Sequence, residues 1–301
     1  MMARILPACV AIALVSVTAI AARQSSPSSS PERWTPSSIS TPGYESSPSF
    51  TPDGEEMYFV SADAEFRGWR ILRAWCEEGR WSRGEPVPFA APAAVIEADP
   101  FVTADGRRIY YVSARHDPTN QDFDIWYVDR SPDGTFGTPH RLPPPVNSPA
   151  SEILPRADGE GRLYFGSSRP GGFGQSDIYS AVETAPGMWT VENVGPPVST
   201  PANEYEAEVS YDGRTLIVVA DRGQRSHLYR FARDRQGWRE VDQLPGRDDV
   251  FQVGPLLSPK GERLIFAQAD DHHSGEMYLV DLAANSEEVW PPSCNKRLPP
   301  S

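Results

Sequence analysis

The chain is poor in the features that announce chemistry. It contains no Gly-x-Ser-x-Gly elbow, no His-Glu-x-x-His and no Cys-x-x-Cys, so the common hydrolase, zinc-protease and thiol-redox signatures are missing. Its five histidines (His116, His140, His227, His272 and His273) have no obvious nucleophile beside them in sequence. Cations are outnumbered, 28 Lys and Arg against 41 Asp and Glu, for a formal net charge of −13. Phosphate backbones are held by clustered Lys and Arg, so nucleic acid is excluded as a partner. Beyond the N-terminus no apolar run is long enough to span a membrane.

Residues 1–22 read as a secretory signal. Arg4 supplies the positive start, Ile5 to Ile20 the apolar stretch, and Ala19-Ile20-Ala21 the cleavage site. Retention as an uncleaved anchor is the alternative. Residues 23–32 form a Ser/Pro-rich tether. The expected location is periplasmic or secreted, with no membrane span after cleavage. Cys9 lies inside the leader, which leaves Cys76 and Cys294 in a compartment that permits a disulfide.

What the chain has in abundance is repetition. Asp53-Gly54, Asp105-Gly106, Asp158-Gly159 and Asp212-Gly213 each precede an apolar run, as does the degenerate Lys260-Gly261. The anchors lie 52, 53, 54 and 48 residues apart. Asp-Gly supplies the positive φ of a tight hairpin. Around each anchor stand four short aromatic and β-branched segments. A period near 50 residues with four strands per copy predicts an all-β fold, a β-propeller of five four-stranded blades, six being the alternative. The propeller should occupy residues 33–291, with 292–301 as a C-terminal tail.

A ring must be closed or it exposes a sheet edge. The segment 33–39, around Trp34, supplies an outer strand that can join residues 251–281 and complete the last blade. Closure makes blades 1 and 5 neighbours, so Cys76 and Cys294 could form a disulfide that pins the seam.

The phrase Ser49-Phe-Thr-Pro-Asp-Gly54, and Ser167-Ser-Arg-Pro-Gly-Gly-Phe-Gly-Gln-Ser-Asp-Ile-Tyr179, resemble the TolB-type (WD-like) propeller repeat of bacterial envelope proteins. The resemblance covers roughly residues 33–290. It implies an exported propeller, and copies like the second occur beside peptidoglycan-binding domains. TolB itself resembles a six-bladed ring with a separate α/β domain; five blades and no such domain are expected here.

Candidate site residues come from aligning the first strands. Glu45, Glu97, Glu152 and Glu206, with Gln252 in the fifth blade, fall at equivalent positions near the axis. They would ring the channel mouth on the face opposite the Asp-Gly turns. The plainer reading is that each Glu accepts hydrogen bonds as part of the repeat. The functional reading is a recognition funnel or a site for a hard cation, calcium being possible. Arg115, Arg169 and Arg222 follow the second strands and either pair with those carboxylates or hold an anionic or sugar ligand. Asp124 and Asp177 should fix loops by accepting backbone N–H bonds. Trp69, Trp126 and Phe173 offer either core packing or stacking surface. Asp270-Asp271-His272-His273 reads as a solvated loop with metal binding as the alternative. No cofactor is otherwise expected, and the chain is taken as a monomer.

Two functions follow. The first is a non-catalytic exported binding platform for an envelope protein or cell-wall component. The second is a glycan-active enzyme, a glycosidase or lyase, using channel carboxylates as an acid/base pair. Carboxylates neutralised by Arg favour the platform; a pair in an open cleft with one raised pKa favours the enzyme.

Overall fold

A computed structural model describes residues 30–294, apart from Gln224 and Asn285. The leader, most of the tether and the tail beyond Cys294 lie outside the described residues. Those residues contain strands and turns and no helix. The strands form five antiparallel sheets, the blades of a closed propeller.

The inner strands are Tyr44–Phe50, Glu97–Val102, Glu152–Ala157, Asn203–Val209 and Gln252–Leu257. The second strands are Glu56–Ala62, Arg108–Ser113, Leu163–Ser167, Thr215–Asp221 and Arg263–Gln268. These carry unbroken apolar runs because each blade is covered by a neighbour on both faces. Five interblade cores result. Tyr58 and Ile71 meet Ile109 and Tyr111; Val112 and Ile125 meet Leu163 and Phe165. Tyr164 and Ile178 meet Leu216 and Val218; Val219 and Leu228 meet Leu264 and Phe266. Ile265 and Met277 meet Met57 and Phe59.

The ring closes through the N-terminal segment as expected, although the closing strand is Glu32–Arg33 and not the whole of 33–39. Glu32–Arg33 pairs antiparallel with Leu279 and Tyr278 and so completes the fifth blade from the N-terminal side. Cys76 and Cys294 are bonded, and Cys294 is buried among the residues packed between blades 5 and 1. The stretch before Cys294 crosses the turn face. Glu288 accepts from Ser258 Oγ and the Lys260 N–H, and Pro292 packs where a side chain on Gly54 would sit.

The tight turns follow one rule with one exception. Gly54, Gly106, Gly213 and Gly261 hold φ between +67° and +70°, conformations that glycine adopts without steric cost. In blade 3 the left-handed glycine is Gly161, at φ +82°, two residues beyond the Asp158-Gly159 anchor. Gly159 has a different constraint: a Cβ there would lie 2.7 Å from Tyr211.

Every inner strand also carries a bulge, which bends it around the axis. Pairing skips residues between Ser46 and Ser49, Ala98 and Phe101, Ile153 and Arg156, and Val253 and Leu256. Blade 4 skips Tyr205 alone, between Glu204 and Glu206.

Candidate functional site

The bulges decide what faces the axis. Counting back nine positions from the left-handed glycine of each blade gives Glu45, Glu97, Glu152, Glu204 and Gln252. The fourth equivalent residue is therefore Glu204. Glu206, which the first-strand alignment selects, sits beyond the bulge in a different layer.

The residues of that first layer are turned into the loops that precede them. Thr41, Ser148 and Thr200 each give their backbone N–H and hydroxyl to the glutamate four residues on, Glu45, Glu152 and Glu204. Burial pushes the pKa of all three glutamates up, and the Ser and Thr donors pull it back. Glu97 accepts from the Ala91 N–H at 2.8 Å and from Arg115 Nε at 2.9 Å. Arg169 reaches Glu152 at 3.0 Å. Arg222 turns away, pairing with Glu240 at 2.9 and 3.0 Å and stacking on Tyr229. Gln252 accepts from the Leu228 N–H and donates to the Arg247 carbonyl. Both oxygens of Glu45, Glu97, Glu152 and Glu204 are thus taken by donors within the protein.

The second layer lies on the axis; sequence alignment picked out Glu206 from it, but assigned it to the wrong layer, and missed Asp99, Arg156 and Glu208. Asp99, Arg156, Glu206 and Glu208 are buried, Arg156 completely. They stitch blade to blade. Ser47 donates to Asp99 at 3.0 Å, and Asp99 accepts the Leu154 N–H at 3.1 Å. Arg156 pairs with Glu208 at 2.7 Å. Glu206 accepts the Gly254 N–H at 2.7 Å and Glu208 the Leu257 N–H at 3.1 Å. Three carboxyls face one guanidinium. Burial pushes Glu206 up to about 8 and Glu208 up to about 7, Arg156 opposing it in both; the neighbouring Asp99 raises Glu206 further. Burial raises Asp99 as well.

One member of this belt, Glu208, borders a funnel. The funnel opens on the face of the Asp-Gly turns, not on the opposite face where the sequence reading placed the mouth. Its volume is about 680 Å³, and all five blades contribute to it. Phe50, Phe101, Tyr211, Leu256 and Trp290 supply much of the wall, and Glu208 lines it at the floor. Tyr211 and Val289 stand out at the rim, 59% and 85% exposed. Toward the other face, Tyr44 packs with Ala62, Ala267, Val253 and Trp69, and the Phe66 ring lies against Tyr44 at 4.4 Å.

The remaining candidates fall away from this funnel. Asp177 accepts the Phe173 and Gly174 N–H groups, as expected. Asp124 does not follow it; its carboxylate lies 2.8 Å from His116 Nε2 and pairs with Arg141. Trp126 packs against the core between blades 1 and 2, Trp69 stacks on Phe123, and Phe173 is exposed. In the blade 5 loop, Asp270 accepts the His272 and His273 N–H groups. Asp270, His273 and Glu276 come together there beside Arg33.

No protein-family model matches the sequence, and no curated protein matches it significantly. Solved structures do. A TolB-type protein from Agrobacterium tumefaciens superposes with a TM-score of 0.52 and 18% identity, over 81% of this chain and 79% of that one. The fold is a TolB-type propeller. TolB from Acinetobacter baumannii gives 0.49 at 16% identity, over 81% of this chain, which spans 56% of it. An oligogalacturonate lyase from Vibrio parahaemolyticus gives 0.44 at 14% identity, over 78% of this chain and 64% of the lyase. Among the described residues of this TolB-type propeller, no helix is long and apolar enough to cross a membrane.

Proposed function

We propose that the protein is an exported, non-catalytic binding platform that receives an envelope protein or a cell-wall component at the turn-face funnel. The observation that carries this reading is the axial cavity itself. It is large enough for a ligand or an inserted loop, mostly apolar in its walls, and joined by all five blades. Aromatic walls around a few polar groups suit recognition. The TolB-type fold adds an associational argument, since fold alone does not fix function.

The arrangement of carboxylates favours a platform over a glycan-active enzyme. Glu206, whose pKa is raised, is buried and holds the Gly254 N–H. Glu208 is committed to Arg156 and the Leu257 N–H. An acid/base pair needs free access to the bond it cleaves.

The test is in-cell cross-linking with tagged full-length chain as bait, beside a version carrying Tyr211→Glu and Val289→Glu. Both substitutions lie at the exposed rim and leave the core untouched. Binding to purified cell-wall sacculi is measured in parallel. A specific partner or sacculus binding lost in the rim variant supports the funnel as the binding surface. Equal capture by both baits, or none by either, refutes it.

A further inference from the structure

The seam of the propeller holds a cluster that the funnel does not use. Asp270, His273 and Glu276 each offer one ligand atom, and these atoms lie within 4.8 Å of one another. His273 Nδ1 is 2.8 Å from Asp270 Oδ1 and 3.7 Å from Glu276 Oε1. Zinc bonds of ~2.0–2.1 Å in a tetrahedral site separate neighbouring donor atoms by ~3.3 Å. The two spacings from His273 bracket that value, and the third, between Asp270 and Glu276, is within 4.8 Å, so side-chain adjustment of the order of an ångström would bring the donors onto one ion.

A second observation points to a ligand. The Glu276 side chain is fully buried at the start of the third strand of blade 5, Glu276–Asp281. Its Oε1 accepts from Arg33 and from Ser40 Oγ, both at 2.5 Å. Its Oε2 is buried with no hydrogen-bond partner, an expensive state for a carboxylate oxygen. Asp270 and His273 are part-exposed, so an ion has an approach from solvent. Arg33, whose side chain is 42% exposed, stands where a cation is wanted: it touches Glu276 and lies 4.0 Å from Asp270.

We propose that Asp270, His273 and Glu276 form a binding site for a first-row divalent metal, zinc above all, in which the ion replaces Arg33 as the counter-charge of Glu276. One imidazole and two carboxylates suit zinc. Calcium is disfavoured, because it takes six to eight oxygen ligands. The site lies where Glu32–Arg33 closes the ring, so metal and closing strand compete for one carboxylate.

The test is titration of the full chain with zinc chloride by calorimetry, with a thermal unfolding scan of each metal-free variant to verify folding. One zinc per chain is expected. His273→Ala and Asp270→Asn should each weaken binding by at least roughly tenfold. His272→Ala, a neighbouring histidine outside the cluster, should leave it unchanged. Arg33→Ala should tighten it by removing the competing cation, an effect that adventitious surface binding would not show. Absence of saturable binding, loss in His272→Ala, or weakening in Arg33→Ala would each overturn the proposal. Calcium binding in place of zinc would overturn the assignment of the metal.

Discussion

Glu206→Gln removes one proton-binding group from the axial belt and keeps a carbonyl oxygen to accept the Gly254 N–H, which lies 2.7 Å from the glutamate. In the folded chain burial, with help from the Asp99 charge, pushes the Glu206 carboxyl up to about 8. In the unfolded chain it titrates near the ordinary glutamate value of ~4.3. A raised folded pKa means that the native state holds the proton more tightly. The contribution is therefore fully present below pH ~4.3 and is lost as pH rises through about 8. Each pKa unit corresponds to about 1.4 kcal/mol, so going from about pH 5.5 to about pH 8.5 should cost the parent roughly 3 kcal/mol through this group.

The amide of the variant cannot titrate, so its stability should lack that slope. At the acid end the two proteins should have similar stabilities; at the alkaline end the variant should be the more stable. The assay is urea unfolding followed by tryptophan fluorescence, at both pH values and with the disulfide intact. At an m-value of ~3 kcal/mol/M the gap between midpoints should open by roughly 1 M across the range. Burial raises Glu208 in both proteins, whereas Asp99 loses a charged neighbour in the variant, so the difference between parent and variant reports the Glu206–Asp99 pair. Parallel pH profiles would refute the reasoning, because Glu206 would then hold its charge in the folded belt.

Arg156→Met leaves Glu208 buried without its 2.7 Å partner and should cost about 3–5 kcal/mol; adding Glu208→Met should recover much of it, read as urea midpoints at neutral pH. Cys76→Ser frees a crosslink with a sequence separation of 218; a chain-entropy account puts its worth at roughly 5 kcal/mol, and denaturant midpoints with and without reductant should show the parent falling toward the variant. Gly166→Ala places a Cβ 1.9 Å from the Tyr205 carbonyl oxygen and should cost about 1–3 kcal/mol, visible as a lowered thermal midpoint.

The architecture was legible because it is written as a period. Five copies of a turn and an apolar run state the number of blades, and Trp34 near the start announces the strand that closes the ring. The two cysteines follow from closure, since it makes blades 1 and 5 adjacent. The site was harder to read at Glu204-Tyr205-Glu206, where two identical residues stand on either side of one tyrosine. The bulge assigns one to the loop layer and the other to the axis. A signal was present: Thr41 to Glu45 and Ser148 to Glu152 are four apart, and so are Thr200 and Glu204. The shifted turn in blade 3 hid the matching count from glycine.

Other differences depend on neighbours that a repeat alignment does not see. Asp124 and Asp177 open equivalent strands, yet their partners differ because their loops differ. Gly172 passes so close to Asp177 that a Cβ there would lie 1.7 Å from the carboxylate. This lets the glycine-rich loop deliver the Phe173 and Gly174 N–H groups. In blade 2 the loop folds onto Asp117 instead, which takes the Thr119, Gln121 and Asp122 N–H groups. Asp124, without backbone donors, is left to His116 and Arg141. The open end of the channel has the same kind of cause. Tyr44 and its neighbours pack the end nearer the loops, while the diverging turns leave the other end wide. Which end of the channel stays open is therefore set by side-chain volume at a handful of axial positions, and the spacing of the repeat carries no record of it.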